Sequence, residues 1–123
     1  MKFKHPHYAN EFNEAPIILQ IIANDFRARS LEFGIEPVIT RITEKVDGDS
    51  GVHDTRALDF RDFHMNKHLY TRTQRIALVS FINGKYQRTD QYEVCSHHDA
   101  GSGDHFHLQV PYLTESLKGP LWR

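Results

Sequence analysis

Apolar residues along the chain recur with two different periods, which predict both helices and strands. Over residues 14–33 they recur every three or four positions, and this spacing predicts a helix with Pro16 in its first turn and Gly34 as its stop. A second helix is predicted over 71–83, with Thr71 as its N-cap. We expect these two helices to flank a sheet.

The strands of that sheet are predicted from short β-branched or alternating segments. These segments are 37–43, 57–62, 91–96 and 105–110, and the polar stretch 46–51 is typical of a loop. The resulting order is helix, strand, strand, helix and two strands. It predicts an α+β domain with a small, mainly antiparallel sheet and flanking helices.

The length of 123 residues favours one domain. The sequence contains no internal repeat, low-complexity tract or linker that would divide it. We therefore expect a single domain over 1–123, with an N-terminal arm at 1–12 and a C-terminal tail at 111–123.

Composition and charge narrow the classes of partner. The formal net charge is −1, which argues against non-specific attraction to nucleic acid or to anionic lipid. No apolar run is long enough for membrane insertion, and the basic start is not followed by the apolar stretch of a secretory signal. We expect a monomer that is cytoplasmic as synthesised.

Histidine is the residue type that stands out, with nine copies against a single cysteine. Cys95 alone can form neither an intramolecular disulfide nor a multi-cysteine zinc site, and we expect it to be a small core residue. Any metal site is therefore expected to combine histidines with carboxylates. His105 and His107 lie two apart on a predicted strand, so both should point to the same face.

Two segments carry histidine and aspartate at spacings suited to a catalytic zinc site. Such a site typically has three protein ligands and one open position for water. A nearby carboxylate must accept a proton, and a further donor should stabilise the oxyanion. The residue types needed for all these roles are present in His53, Asp59, Asp104, His105 and His107.

These segments, 50–62 and 104–110, resemble the family of zinc D,D-carboxypeptidases and L-alanyl-D-glutamate endopeptidases, which cleave bacterial cell wall. The family pattern is S-x-H-x-x-G-x-A-x-D, followed far downstream by H-x-H. His53, Ala57 and Asp59 match its first part, with Ser50 or Gly51 at the serine position. Residues 105–107 match its second part. The hedgehog signalling domain shares this fold and zinc motif, so the resemblance implies a hedgehog/D,D-peptidase-like fold.

The resemblance also implies a role for each matching residue. It implies Zn²⁺ bound by His53, Asp59 and His107. Asp104, three residues before His107, takes the place of the catalytic acid. His105 either stabilises the transition state or orients a ligand, and Arg41 is the best match to the arginine that grips substrate.

One interval departs from the family pattern. The spacing from His53 to Asp59 is one residue shorter than in the family, and the glycine before Ala57 is absent. A one-residue deletion in the loop after His53 accounts for both differences. Asp54 is then an alternative ligand.

The other histidines form three pairs with less specific interpretations. His64 and His68 have the spacing of a helical zinc pair, but without the H-E-x-x-H glutamate. The remaining pairs are expected to be solvated, with His97 and His98 in a loop and His5 and His7 in the N-terminal arm.

The resemblance implies zinc-dependent hydrolysis of a peptide bond in peptidoglycan stem peptides, by carboxypeptidase or endopeptidase action. A short chain of this kind resembles a phage or prophage lysis enzyme that acts on the wall after release. The alternatives are a non-catalytic zinc-binding module on the same fold and a virion-associated wall-degrading protein.

Overall fold

The computed structural model describes residues 1–42, 56–89, 92–98, 104–111 and 117–118. The helices are α1 (His7–Glu14), α2 (Ile17–Glu32) and α3 (Arg72–Lys85). The strands are β1 (Lys2–Phe3), β2 (Val38–Ile42), β3 (Ala57–Arg61), β4 (Phe63–His64), β5 (Lys67–His68), β6 (Gln87–Arg88), β7 (Cys95–His98), β8 (His105–Gln109) and β9 (Leu117–Lys118). The predicted α+β class is confirmed.

Five strands form the main sheet in the order β1-β2-β3-β8-β7. Strand β1 runs parallel to β2, and the other three pairings are antiparallel. Two small antiparallel pairs, the β4–β5 hairpin and the pairing of β6 with the distant β9, lie outside this sheet. The sheet is therefore mostly antiparallel, as predicted, and its centre is formed by β3 and β8.

The N-terminal segment differs from the expected arm. Lys2–Phe3 extends the sheet, the amino group of Met1 contacts Glu36 Oε1 at 3.0 Å, and Phe12 of α1 is buried. The helix predicted over 14–33 corresponds to α2, which begins after Pro16 at its N-cap. Helix α1 is an additional helix that lies mostly within the expected arm.

Helix α2 packs its apolar side against the sheet. Its buried apolar residues are Ile18, Leu19, Ile22, Ala23 and Phe26. The ring of Phe26 stacks on Phe60 of β3 at 4.3 Å between centroids and meets Phe106 of β8 edge-on at 5.1 Å. Full burial of one such side chain stabilises the fold by about 1.5–3 kcal/mol, so these contacts fix one face of β3 and β8 as the core face.

A bulge in β2 determines which of its side chains reach that core. The pairing with β3 shifts between Ile39, opposite Phe60, and Arg41, opposite Asp59. The extra residue lets Ile39 and Ile42, three positions apart, both be buried. It also leaves Arg41 on the opposite, open face of the sheet, directly across from Asp59.

Helix α3 begins as predicted and holds the edge strand β7. Thr71 forms a reciprocal capping box with Gln74. Near the other end of the helix, Asn83 donates from Nδ2 to the carbonyl of Cys95 at 2.8 Å and accepts from its amide at 2.9 Å. Strand β7 is consequently anchored at Cys95, and it covers 95–98 instead of the predicted 91–96.

Cys95 is the buried core residue that the sequence predicted. Burial raises the pKa of its thiol to about 12, so the reactive thiolate is scarce at neutral pH. We expect the native protein to be unreactive toward a disulfide-exchange reagent at pH 8 and to release one equivalent of thiolate product after denaturation. Rapid labelling of the native protein would contradict this packing.

Residues 63–68 form a hairpin that the sequence analysis did not predict. Met65 and Asn66 both have positive φ, 52° and 64°, as a tight two-residue turn requires. The hairpin excludes a helical arrangement of His64 and His68, which the missing glutamate had already disfavoured. No helix in the part of the chain described by the structure has the length and apolar character needed to span a membrane.

Candidate functional site

Two of the predicted metal ligands lie directly opposite each other at the centre of the sheet. Asp59 on β3 pairs with His107 on β8. The Nδ1 atom of His107 lies 2.9 Å from Asp59 Oδ1, and its Nε2 lies 3.1 Å from Gln109 Oε1. Because both side chains point to the open face, opposite Phe60 and Phe106, they are not covered by α2.

His105 and Arg41 lie beside this pair. His105 Nε2 is 3.8 Å from Asp59 Oδ2, and Arg41 occupies the position across from Asp59 on β2. Together with Leu58 and His98, these residues line a cavity of about 270 Å³. We call Arg41, Asp59, His98, His105 and His107 the open-face cluster.

Neighbouring groups shift the pKa values of two histidines in the open-face cluster. The hydrogen bond with Asp59 raises the pKa of His107, although burial and the nearby Arg41 charge oppose this effect. Desolvation, followed by the charges of His107 and His105, lowers the pKa of His98. The structure thus places an imidazole that favours its protonated form beside one that favours its neutral form.

His53, the third predicted ligand, lies outside the described residues, as does its alternative Asp54. Chain order places both shortly before β3, the strand that carries Asp59. Their relation to the Asp59–His107 pair stays a prediction.

Asp104 is not brought to the open-face cluster, and this corrects its expected position. Its carboxylate Oδ2 lies 3.3 Å from His68 Nε2, in a group with Asp62 and His97. A separation of three residues along a strand places Asp104 and His107 on opposite faces. The expected contact of Asp104 with the His107 site is therefore absent from the described geometry.

We call this second group, Asp62, His68, His97 and Asp104, the strand-end cluster. The Asp62 carboxylate is fully buried, and its Oδ2 lies 2.7 Å from His97 Nε2 and 3.1 Å from His68 Nδ1. Its Oδ1 accepts the amide of Tyr70 at 3.1 Å. His97 is therefore part of a packed polar group and not the solvated loop residue that was expected.

Sequence reasoning missed this cluster although part of its signal was present. Asp62 follows Phe60 by two residues, so alternation along β3 directs its side chain to the core face, where a carboxylate needs partners. The other members come from β5, β7 and the start of β8. Their meeting depends on strand register, which no local pattern specifies.

The two clusters differ in their capacity to bind a metal ion. One donor atom each from Asp62, His97 and Asp104 lie within 4.8 Å of one another, so this group can hold a metal ion. In the open-face cluster, a carboxylate and an imidazole face each other at 2.9 Å. Among the described residues, no third donor completes a metal-binding group with this pair, and a third donor from His53 stays a prediction.

Comparisons with protein-family models, with curated proteins and with solved structures found no match to this chain.

Proposed function

We propose that the protein is a zinc-dependent peptidase that hydrolyses a peptide bond in peptidoglycan stem peptides, with the open-face cluster as its active site. The observation that carries the proposal is the direct pairing of Asp59 with His107, beside Arg41, at an open cavity. The wall substrate rests on the resemblance of segments 50–62 and 104–110 to the wall-peptidase family.

Asp59 and His107 would hold the zinc ion, with His53 as the third ligand. Bound zinc supplies a water whose pKa is lowered to about 7 and polarises a carbonyl oxygen. His107 must give up its proton to become a ligand, and its contact with Asp59 favours the protonated form. Metal binding at this cluster should therefore weaken as the pH falls.

His105 is the described residue best placed to handle protons there. It lines the cavity and lies 3.8 Å from Asp59, whereas the Asp104 carboxylate is engaged with His68. An imidazole can accept a proton from water and return it to the leaving amine. Arg41 would stabilise a developing oxyanion or bind a substrate carboxylate through two parallel hydrogen bonds.

A second cavity supports an extended peptide substrate. It has a volume of about 560 Å³ and shares His98 and His107 with the smaller one. Its lining also includes Arg88 and Tyr92, where the guanidinium lies 5.5 Å from the ring centroid. A peptide crossing both cavities would meet an arginine on each side of His107, which suits the carboxylates of stem peptides.

The alternative, a non-catalytic zinc-binding module, is favoured by one observation. Asp104, which takes the catalytic acid's place by resemblance, lies in the strand-end cluster. If a carboxylate base is indispensable, the open-face cluster would bind metal without turnover.

Digestion of purified peptidoglycan separates these functions. We expect the zinc-loaded protein to release muropeptides with new termini inside the stem peptide, and mass spectrometry of these products identifies the bond. A zinc chelator should stop the release and added zinc should restore it. Zinc binding without product would favour the module, and product formation unaffected by the chelator would reject the proposal.

A further inference from the structure

We propose that the strand-end cluster is a second metal site, at which a divalent ion of the zinc class fastens the β4–β5 hairpin to the sheet. This site would be additional to the proposed catalytic site. The alternative is a hydrogen-bonded network of aspartate and histidine that binds no ion.

Its position separates it from the open-face cluster. Along β3, Asp59 points to the open face and Asp62 to the core face, and along β7 the adjacent His98 and His97 divide in the same way. His97 meets the ring of Phe106 at 4.9 Å on the core side. A single ion cannot serve both clusters, because the sheet itself lies between them.

The distances suit a small ion with few ligands. Bonds of about 2.0–2.1 Å in a tetrahedral zinc site place its ligand atoms about 3.3 Å apart. Here His97 Nε2 lies 2.7 Å from Asp62 Oδ2. One donor atom from each of Asp62, His97 and Asp104 lies within 4.8 Å of the other two. Shifts of well under 1 Å in side-chain position would bring the first pair to ligand spacing.

The donor types favour the zinc class over calcium or magnesium. The cluster offers two imidazoles and two carboxylates, whereas calcium and magnesium prefer six or more oxygen ligands, including water. His68 links the two carboxylates, since its Nδ1 lies 3.1 Å from Asp62 and its Nε2 3.3 Å from Asp104, and it would orient them around the ion. It is the most exposed of the four, with 40% of its side-chain surface accessible, so it stands at the solvent side.

The two negative charges in the cluster give a further reason to expect a bound cation. Asp62 has no exposed surface and Asp104 only 21%, and two carboxylates held this close repel each other unless a cation compensates them. Arg75 contributes a charge at 3.6 Å from Asp62 Oδ2. A divalent ion would neutralise both carboxylates together.

The structural consequence would be a clip across four chain segments. Asp62 directly follows β3, His97 lies on β7, Asp104 precedes β8, and His68 ends the hairpin strand β5. A bound ion would tie the first three directly and His68 through its contacts with the two carboxylates. Residues 63–68 are otherwise attached by the β4–β5 pairing, by the Phe63 amide, which donates to the carbonyl of Asp104, and by the Leu69 amide, which donates to the carbonyl of Asp62.

Metal content of the purified full chain tests this inference. We expect two zinc ions per chain in the wild-type protein by inductively coupled plasma mass spectrometry. Each of the two single variants, His97→Gln and His107→Gln, should contain one. Only His97→Gln should keep its peptidase activity. Loss of one ion in His107→Gln alone would overturn the second site and leave the proposed function standing. If only His97→Gln loses an ion, the second site stands and the metal ligands of the proposed active site are wrong.

A second variant covers a failure of His97→Gln to fold. His68→Gln changes the most exposed member, and we expect it to weaken zinc binding at this site by roughly 10–100-fold in a chelator competition. Adding zinc to the apo form of His107→Gln should raise its melting temperature by roughly 5 °C or more. An unchanged melting temperature in that variant, together with unaltered zinc affinity in His68→Gln, would show a network without an ion.

Discussion

Replacing His107 with alanine is expected to remove zinc from the open-face cluster and to lower peptide-bond hydrolysis by at least about 100-fold. The imidazole is the direct partner of Asp59 across the β3–β8 pairing at 2.9 Å, whereas His105 of the same strand lies 3.8 Å from the carboxylate. Groups that only orient metal ligands already contribute roughly 10–100-fold. Zinc content and the rate of muropeptide release measure the two effects separately.

A matched control is His5→Ala, because His5 is exposed and belongs to the segment before α1. We expect wild-type zinc content and rate in this variant. If His107→Ala cleaves wall peptides at the wild-type rate, the active site lies elsewhere. The strand-end cluster is then the next candidate, since it contains Asp104.

The same experiment with Asp59→Asn examines the other half of the pair. Asparagine keeps an oxygen that can accept from His107 Nδ1 but removes the carboxylate whose hydrogen bond and charge raise the pKa of His107. We expect weaker zinc binding with little change in the fold, because Asp59 lies on the open face. The two variants together would distinguish loss of a ligand from loss of the sheet's local order.

Much of the fold was predictable because its elements have strong local signals. The alternation at 57–62 and 105–110 predicted β3 and β8 to within one residue, and the N-cap residue Thr71 marked the start of α3. The short elements were missed for a physical reason. Strand β1 has two residues, and only Phe12 of α1 is buried, so tertiary contacts decide these segments.

The candidate site was predictable only where two residues share a face of one strand. His105 and His107 were placed together from their spacing, and the structure agrees. Arg41 lies across from Asp59 only because β2 contains a bulge. Strand alternation puts Asp104 and His107 on opposite faces, but the family pattern led to the expectation that they lie together. Register and bulges depend on pairing between distant segments, so the sequence alone gave residue types without their arrangement.

Replacing Phe106 with alanine is expected to lower the free energy of unfolding by about 3–5 kcal/mol, the usual loss for a buried aromatic ring. Phe106 is fully buried, and the centroid of its ring lies 4.9–5.1 Å from the ring centroids of Phe26, Tyr70 and His97. Denaturant titration of the chelator-treated protein measures the loss, because the absence of metal removes any contribution from binding.

Two further variants show whether this loss reflects the core that supports both clusters. Phe106→Leu keeps most of the apolar volume and should cost less than Phe106→Ala. Ile76→Ala removes an apolar side chain that is 55% exposed on α3, so its effect should stay within about 0.5 kcal/mol. A loss below about 1 kcal/mol for Phe106→Ala would contradict the packing described here. Because Phe106 lies between His105 and His107 on β8, such a result would also remove the physical basis for the positions of both histidines.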